Sequence, residues 1–188
     1  MTDRLQGKKI ALFAEDLFDD SELVEPMNFL RAQGAEVVVV GSGRASQFTG
    51  KKGALIEADR SIAEVAARDF DAVIVPGGYA PDKMRKSQAM IDFIEQADDA
   101  GKVVAAICHG PQMLISADVL RGRMATSAAT IAVDVKNAGA HFVDDAVVVD
   151  GNLITSRTPA DLPAFNDAIA AALVNADMAI RQPMVAGA

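Results

Sequence analysis

Short, wholly apolar runs recur along this chain, and segments with helical spacing separate them. Val37–Val40, Ala72–Val75 and Val103–Ile107 read as strands covered on both faces, because their apolar residues are continuous rather than alternating, and Lys9–Ala14 reads as the first strand. The helical segments are Glu22–Gln33, with Leu23, Met27 and Leu30 one turn apart, Ser87–Ala100, closed by Gly101, and Ile131–Asn137, capped by Gly139. A last helix, Leu162–Val174, carries Leu162, Phe165, Ile169 and Leu173 as its buried stripe. Pro26 marks either the first turn of its helix or a kink, and Gly34 is a natural C-cap. Lys51-Lys52-Gly53 to Glu57 reads as an edge hairpin, and Asp150-Gly151 joins Val147–Val149 to Leu153–Ser156 in a second one. Strands separated by helices demand an α/β architecture with a mostly parallel sheet, and such sheets bind ligands beyond their C-terminal strand ends.

Composition narrows the classes of function. The chain has 188 residues, which suits one domain, 1–188, with a core at about 8–174 and a tail, 175–188, that loses periodicity and forms a loose end or a partner contact. Hydrophobic residues make up 51%, yet no apolar run approaches the roughly 18 residues of a membrane span. The first residues lead into a strand rather than a secretory apolar segment, so neither a signal peptide nor a membrane partner is expected. A net charge of −8, no Trp and one Tyr argue against nucleic acid as a partner. A lone cysteine excludes an intrachain disulfide and fits the reducing cytoplasm.

That cysteine, Cys108, stands where the run Val103–Ile107 stops and Gly110-Pro111 opens a helix. A buried thiol is ordinarily a small hydrophobe, but at a strand-to-helix corner backbone N–H groups favour its thiolate. Two further segments fall at strand ends, Glu15–Glu22 and Pro76–Asp82. The first carries several carboxylates, most of them read as solvated acids at a helix start. A protonated acid there could donate to a thiolate, whereas an ionised one would raise the thiol pKa. Gly77 and Gly78 let backbone N–H groups approach a ligand as oxyanion donors. His109 adjoins Cys108 in an awkward geometry for a direct base, since neighbouring side chains diverge at a turn, and His141 reads as structural. One Cys and two distant His make no zinc site, so no metal and no cofactor is expected.

The segments Ala-Ile-Cys-His-Gly-Pro-Gln at 106–112, Pro-Gly-Gly-Tyr-Ala-Pro-Asp at 76–82, Ile-Ser-Ala-Asp-Val-Leu-Arg-Gly-Arg at 115–123 and Ser-Arg-Thr-Pro-Ala-Asp-Leu-Pro-Ala-Phe at 156–165 closely resemble the PfpI family. These are intracellular cysteine proteases and stress proteins of the superfamily that includes the parkinsonism-linked deglycase. The resemblance spans about residues 8–174. It implies a flavodoxin-like three-layer sandwich with a nucleophile elbow, assembled as a homodimer or a larger homo-oligomer. It further implies Cys108 as nucleophile, His109 beside it, oxyanion donors around Gly78 and His109, and Asp82 completing the triad across a subunit interface. The family's buried glutamate against the cysteine aligns with Asp19, one methylene shorter.

The expected activity is that of a stress-response enzyme using Cys108 on a carbonyl, either a small α-oxoaldehyde and its amine adducts or a protein or peptide amide. A redox sensor or chaperone, with Cys108 oxidised reversibly and no turnover, is the alternative. A purely structural module is the third reading.

Overall fold

The computed structural model describes residues 4–181, with side chains through 176. In chain order the elements are β1 (Lys9–Ala14), α1 (Asp20–Ala32), β2 (Glu36–Gly41), β3 (Gln47–Thr49), β4 (Leu55–Glu57), β5 (Arg60–Ser61), β6 (Ala72–Val75), α2 (Ala80–Met84), α3 (Gln88–Asp99), β7 (Val103–Ile107), α4 (Pro111–Ser116), β8 (Met124–Ala125), α5 (Ala132–Asn137), β9 (His141–Phe142), β10 (Val147–Asp150), β11 (Leu153–Ser156) and α6 (Leu162–Arg181). Seven of the strands form one sheet in the order β10-β11-β7-β6-β1-β2-β5. All neighbours are parallel except the β10–β11 hairpin at one edge. The Lys51–Gly53 segment is the turn of a separate ribbon, β3 against β4.

Every residue of β6 and β7 is buried, which requires cover on both faces of the sheet. One layer is α1 packed on α6, and the other is built around α3 and α4. The apolar stripe read for α6 is buried at Leu162, Phe165, Ile169 and Leu173, but the helix runs on to Arg181 rather than stopping at Val174. Residues 175–181 contain neither Gly nor Pro, so nothing in their sequence breaks the helix. The helix thus takes in residues 175–181 of the tail expected at 175–188, and residues 182–188 lie outside the described ones. Pro26 sits inside α1, beyond its first turn.

The chain steps from β1 outward to β2 and later returns to β6 on the other side of β1. This reversal opens a crevice beyond the C-terminal ends of β1 and β6, where the segments after Ala14 and Val75 meet. There Phe18 and Gly78 form an antiparallel bridge, reinforced by Tyr79 N–H to Leu17 O at 2.9 Å and Asp19 N–H to Gly77 O at 3.2 Å. Gly78 has φ +81, and any side chain there would strike the backbone of Leu17 and Asp19.

Candidate active site

Cys108 leaves the end of β7 in the left-handed region, φ +61, a conformation that costs a non-glycine residue of order 1 kcal/mol. It is held there from both sides: its N–H donates to Ser156 O at 3.0 Å, and its carbonyl accepts from Ala128 N–H at 2.9 Å. Gly110 then packs against Val75 O and Ile107 O with no room for a Cβ, and Pro111 opens α4. The product is a sharp elbow that leaves the thiol partly exposed over the crevice.

The left-handed turn also settles the geometry of His109. Its Nδ1 stands 3.3 Å from Cys108 Sγ, so the neighbouring side chains converge where the sequence pattern had them diverging. Its Nε2 faces Thr130 Oγ1 at 3.1 Å, a partner that no motif in the sequence marks. Burial, and then the Lys51 ammonium, hold the imidazole below its ordinary pKa. It is therefore neutral at pH 7 and competent to accept a proton.

The carboxyl group against the thiol is Glu22, not Asp19. Asp19 is the N-cap of α1, and its Oδ1 accepts from Ser21 N–H and Ser21 Oγ. Glu22, one turn in, is fully buried, and its Oε2 accepts the Gly77 N–H at 2.8 Å. Glu22 lies one turn before Pro26, on the face of α1 that the fold buries. Because Gly77 N–H is committed to Glu22, it is not an oxyanion donor; the N–H groups of Gly78 and His109 are the ones that point at sulfur.

Burial, with the nearby Asp19 charge, pushes the Glu22 carboxyl up to about 7. Burial, and then the charge of an ionised Glu22, push the Cys108 thiol up to about 12, against the opposing N–H groups of His109 and Gly78. The two groups titrate as a pair. When Glu22 keeps its proton, the repulsion disappears and its neutral carboxyl can support a thiolate. Glu22 Oε1 has no hydrogen-bond partner among the described residues, which leaves it able to carry that proton.

Asp82 lies exposed on α2, and within the chain both His109 nitrogens are met by Cys108 and Thr130 instead. His141 sits exposed in the β8–β9 ribbon. Among the described residues no group of three or more His, Cys, Asp or Glu could hold a metal ion, and no helix is long and apolar enough to cross a membrane. A groove of about 400 Å³ lined by Lys9, Arg31, Glu36 and Asp59 opens at the starts of β1 and β2, the end of the sheet opposite Cys108, and holds none of this chemistry.

Residues 8–172 match the model of the DJ-1/PfpI family. The chain belongs to that family. It is 50% identical over 162 residues to protein/nucleic acid deglycase 2 of Escherichia coli, an alignment covering 85% of this chain and 94% of the relative. To general stress protein 18 of Bacillus subtilis it is 45% identical, again over 85% of this chain and 94% of the relative. Among solved structures, a two-domain protein from Anabaena variabilis with DJ-1/ThiJ/PfpI-like and ferritin-like domains superposes with a TM-score of 0.86 at 48% identity. That match covers 88% of this chain and 48% of the other, so the chain spans about half the length of that two-domain protein. The flavodoxin-like sandwich expected from the PfpI motifs is thus the DJ-1/PfpI fold.

Proposed function

We propose that this DJ-1/PfpI protein is a cysteine-dependent enzyme of the cytoplasm acting on small α-oxoaldehydes and their early adducts with amines. The deglycase and stress-protein names of its relatives support a stress-related enzyme. The observation that carries the reading is the Cys108 elbow, with Sγ 3.3 Å from His109 Nδ1 and two backbone N–H groups converging on it.

In this scheme the Cys108 thiolate adds to the aldehyde carbon. A C–S bond forms, the carbonyl π pair moves to oxygen, and the N–H groups of Gly78 and His109 stabilise the oxyanion. The proton held by Glu22 or His109 completes a hemithioacetal. His109, as base, moves the carbon-bound proton to the neighbouring carbon, giving a thioester that water hydrolyses. For methylglyoxal the sum is methylglyoxal plus water to lactate, with the redox change internal to the substrate. In a homodimer, the partner's Asp82 would orient His109 through the Nε2 edge.

The test is lactate formation from methylglyoxal beside proteolysis of unfolded casein. Turnover of the aldehyde should fall by at least about 100-fold in Cys108→Ser, the scale of losing a covalent nucleophile. Casein cleavage that depends on Cys108 without aldehyde turnover would overturn the reading in favour of a peptidase. Selective oxygen uptake at Cys108 under mild peroxide, with neither activity, would overturn it in favour of a redox sensor.

A further inference from the structure

We infer that Lys51 makes this site selective for anionic carbonyl substrates, those carrying a carboxylate or phosphate near the reacting carbon. The inference rests on the carbonyl chemistry proposed for Cys108 and names its substrate class. The surroundings of the thiol are otherwise hostile to anions. Glu15, Asp16, Asp19, Asp20 and Glu22 all lie in the segment that borders the crevice, on a chain of net charge −8. Lys51 sets a positive charge into this field. Its ammonium lies 3.7 Å from Asp19 Oδ2 and 5.3 Å from the centroid of the exposed Tyr79 ring. Tyr79 and Asp19 are the two ends of the clasp that closes over Gly77, and Gly77 abuts Cys108. The Lys51 charge is close enough to be felt at both His109 and Glu22.

The position of Lys51 is built. Its own N–H donates to Phe18 O at 2.9 Å, and the Asp20 carboxylate accepts the N–H groups of Lys52 and Ala54 at 2.8 Å each. Gly50 packs on the same carboxylate, leaving no space for a side chain. The hairpin turn is thereby pinned to the start of α1 with its lysine over the crevice. At 3.7 Å the pair with Asp19 is longer than a charge-assisted hydrogen bond, and the ammonium has three donors to offer. An incoming anion can take them while its carbonyl meets Cys108. The flanking Tyr79 ring, 63% exposed, adds an apolar wall to the same spot.

Alkylation of Cys108 separates charge selection from turnover. Iodoacetate and iodoacetamide react identically, the thiolate displacing iodide from carbon, but only iodoacetate is anionic. In Lys51→Met the iodoacetate-to-iodoacetamide rate ratio should fall roughly ten-fold at low salt; the ratio cancels any change in thiolate population, which both reagents share. Lys51→Arg should keep the wild-type ratio, and added salt should erode it. Where aldehydes are turned over, the kcat/KM preference for 4-carboxyphenylglyoxal over phenylglyoxal should shrink in Lys51→Met by a similar factor. An unchanged ratio in Lys51→Met, or an equal loss with both alkylating agents, overturns the inference. A Lys51-dependent ratio in a protein that turns over no aldehyde would uphold the charge selection and overturn the proposed reaction.

Discussion

At Gly77 a single methyl group has nowhere to go: a Cβ there would collide with the Glu22 carboxylate and lie 2.8 Å from Cys108 Cβ and 2.9 Å from His109 N. Gly77→Ala should therefore cost about 1–3 kcal/mol of stability, visible as a lowered Tm, and should slow Cys108 alkylation by displacing its neighbours. Beside it, the Glu22–Cys108 pair gives two pH signatures. The folded-state pKa of Glu22 lies above its unfolded value, so the folded state binds more protons between pH 4.5 and about 7. Stability from this group is full below pH 4.5 and declines as pH rises through 7. Glu22→Gln removes that decline, so urea titrations should show the variant gaining on wild type by up to about 3 kcal/mol between pH 4.5 and 8. The wild-type alkylation rate should rise in two steps, a partial one near neutrality and a second one near 12, whereas Glu22→Gln should show a single step. A single step near the ordinary thiol pKa of about 8.5 in both proteins would refute the coupled pair.

Among the elements, α1 and the β3–β4 ribbon work as a unit. Asp19 caps the helix while Asp20, the first helical residue, holds the ribbon's turn through Lys52 and Ala54. Asp20→Ala should speed hydrogen exchange at the Lys52 and Ala54 amides by at least about ten-fold, with β1 and β6 unaffected, because the loss is local. The elements themselves were largely legible: β1, β6, β7, the β10–β11 hairpin and the elbow at Cys108 all follow from apolar runs and their Gly and Pro punctuation. The choice between Asp19 and Glu22 was not. Both lie in one acidic stretch, and which carboxylate is buried depends on the rotation of α1 about its axis, set by how Leu23, Pro26, Met27 and Leu30 bury against the sheet and α6. Thr130 and Lys51 were invisible for a related reason, since each comes from a loop or turn that only the fold carries to the crevice.

For the whole molecule, the expectation of a homo-oligomer with Asp82 acting across an interface has a direct test. Cys108→Ser and Asp82→Ala subunits, each inactive alone, should regain about a quarter of wild-type activity when exchanged in equal amounts into a dimer, because half the dimers then hold one complete site. No recovery on mixing, with subunit exchange verified by mass, would confine the site to one protomer. The amino-acid sequence by itself determined the alternation of strands and helices, the thiol at a strand end and the glycines that let two loops approach it. These are local, readable from periodicity and backbone freedom. Which carboxylate meets the thiol, which N–H groups point at it and which lysine overlooks it were decided only in the tertiary structure. Those contacts join residues up to 86 positions apart, as between Glu22 and Cys108, and arise from the packing of one helix and the order of the strands.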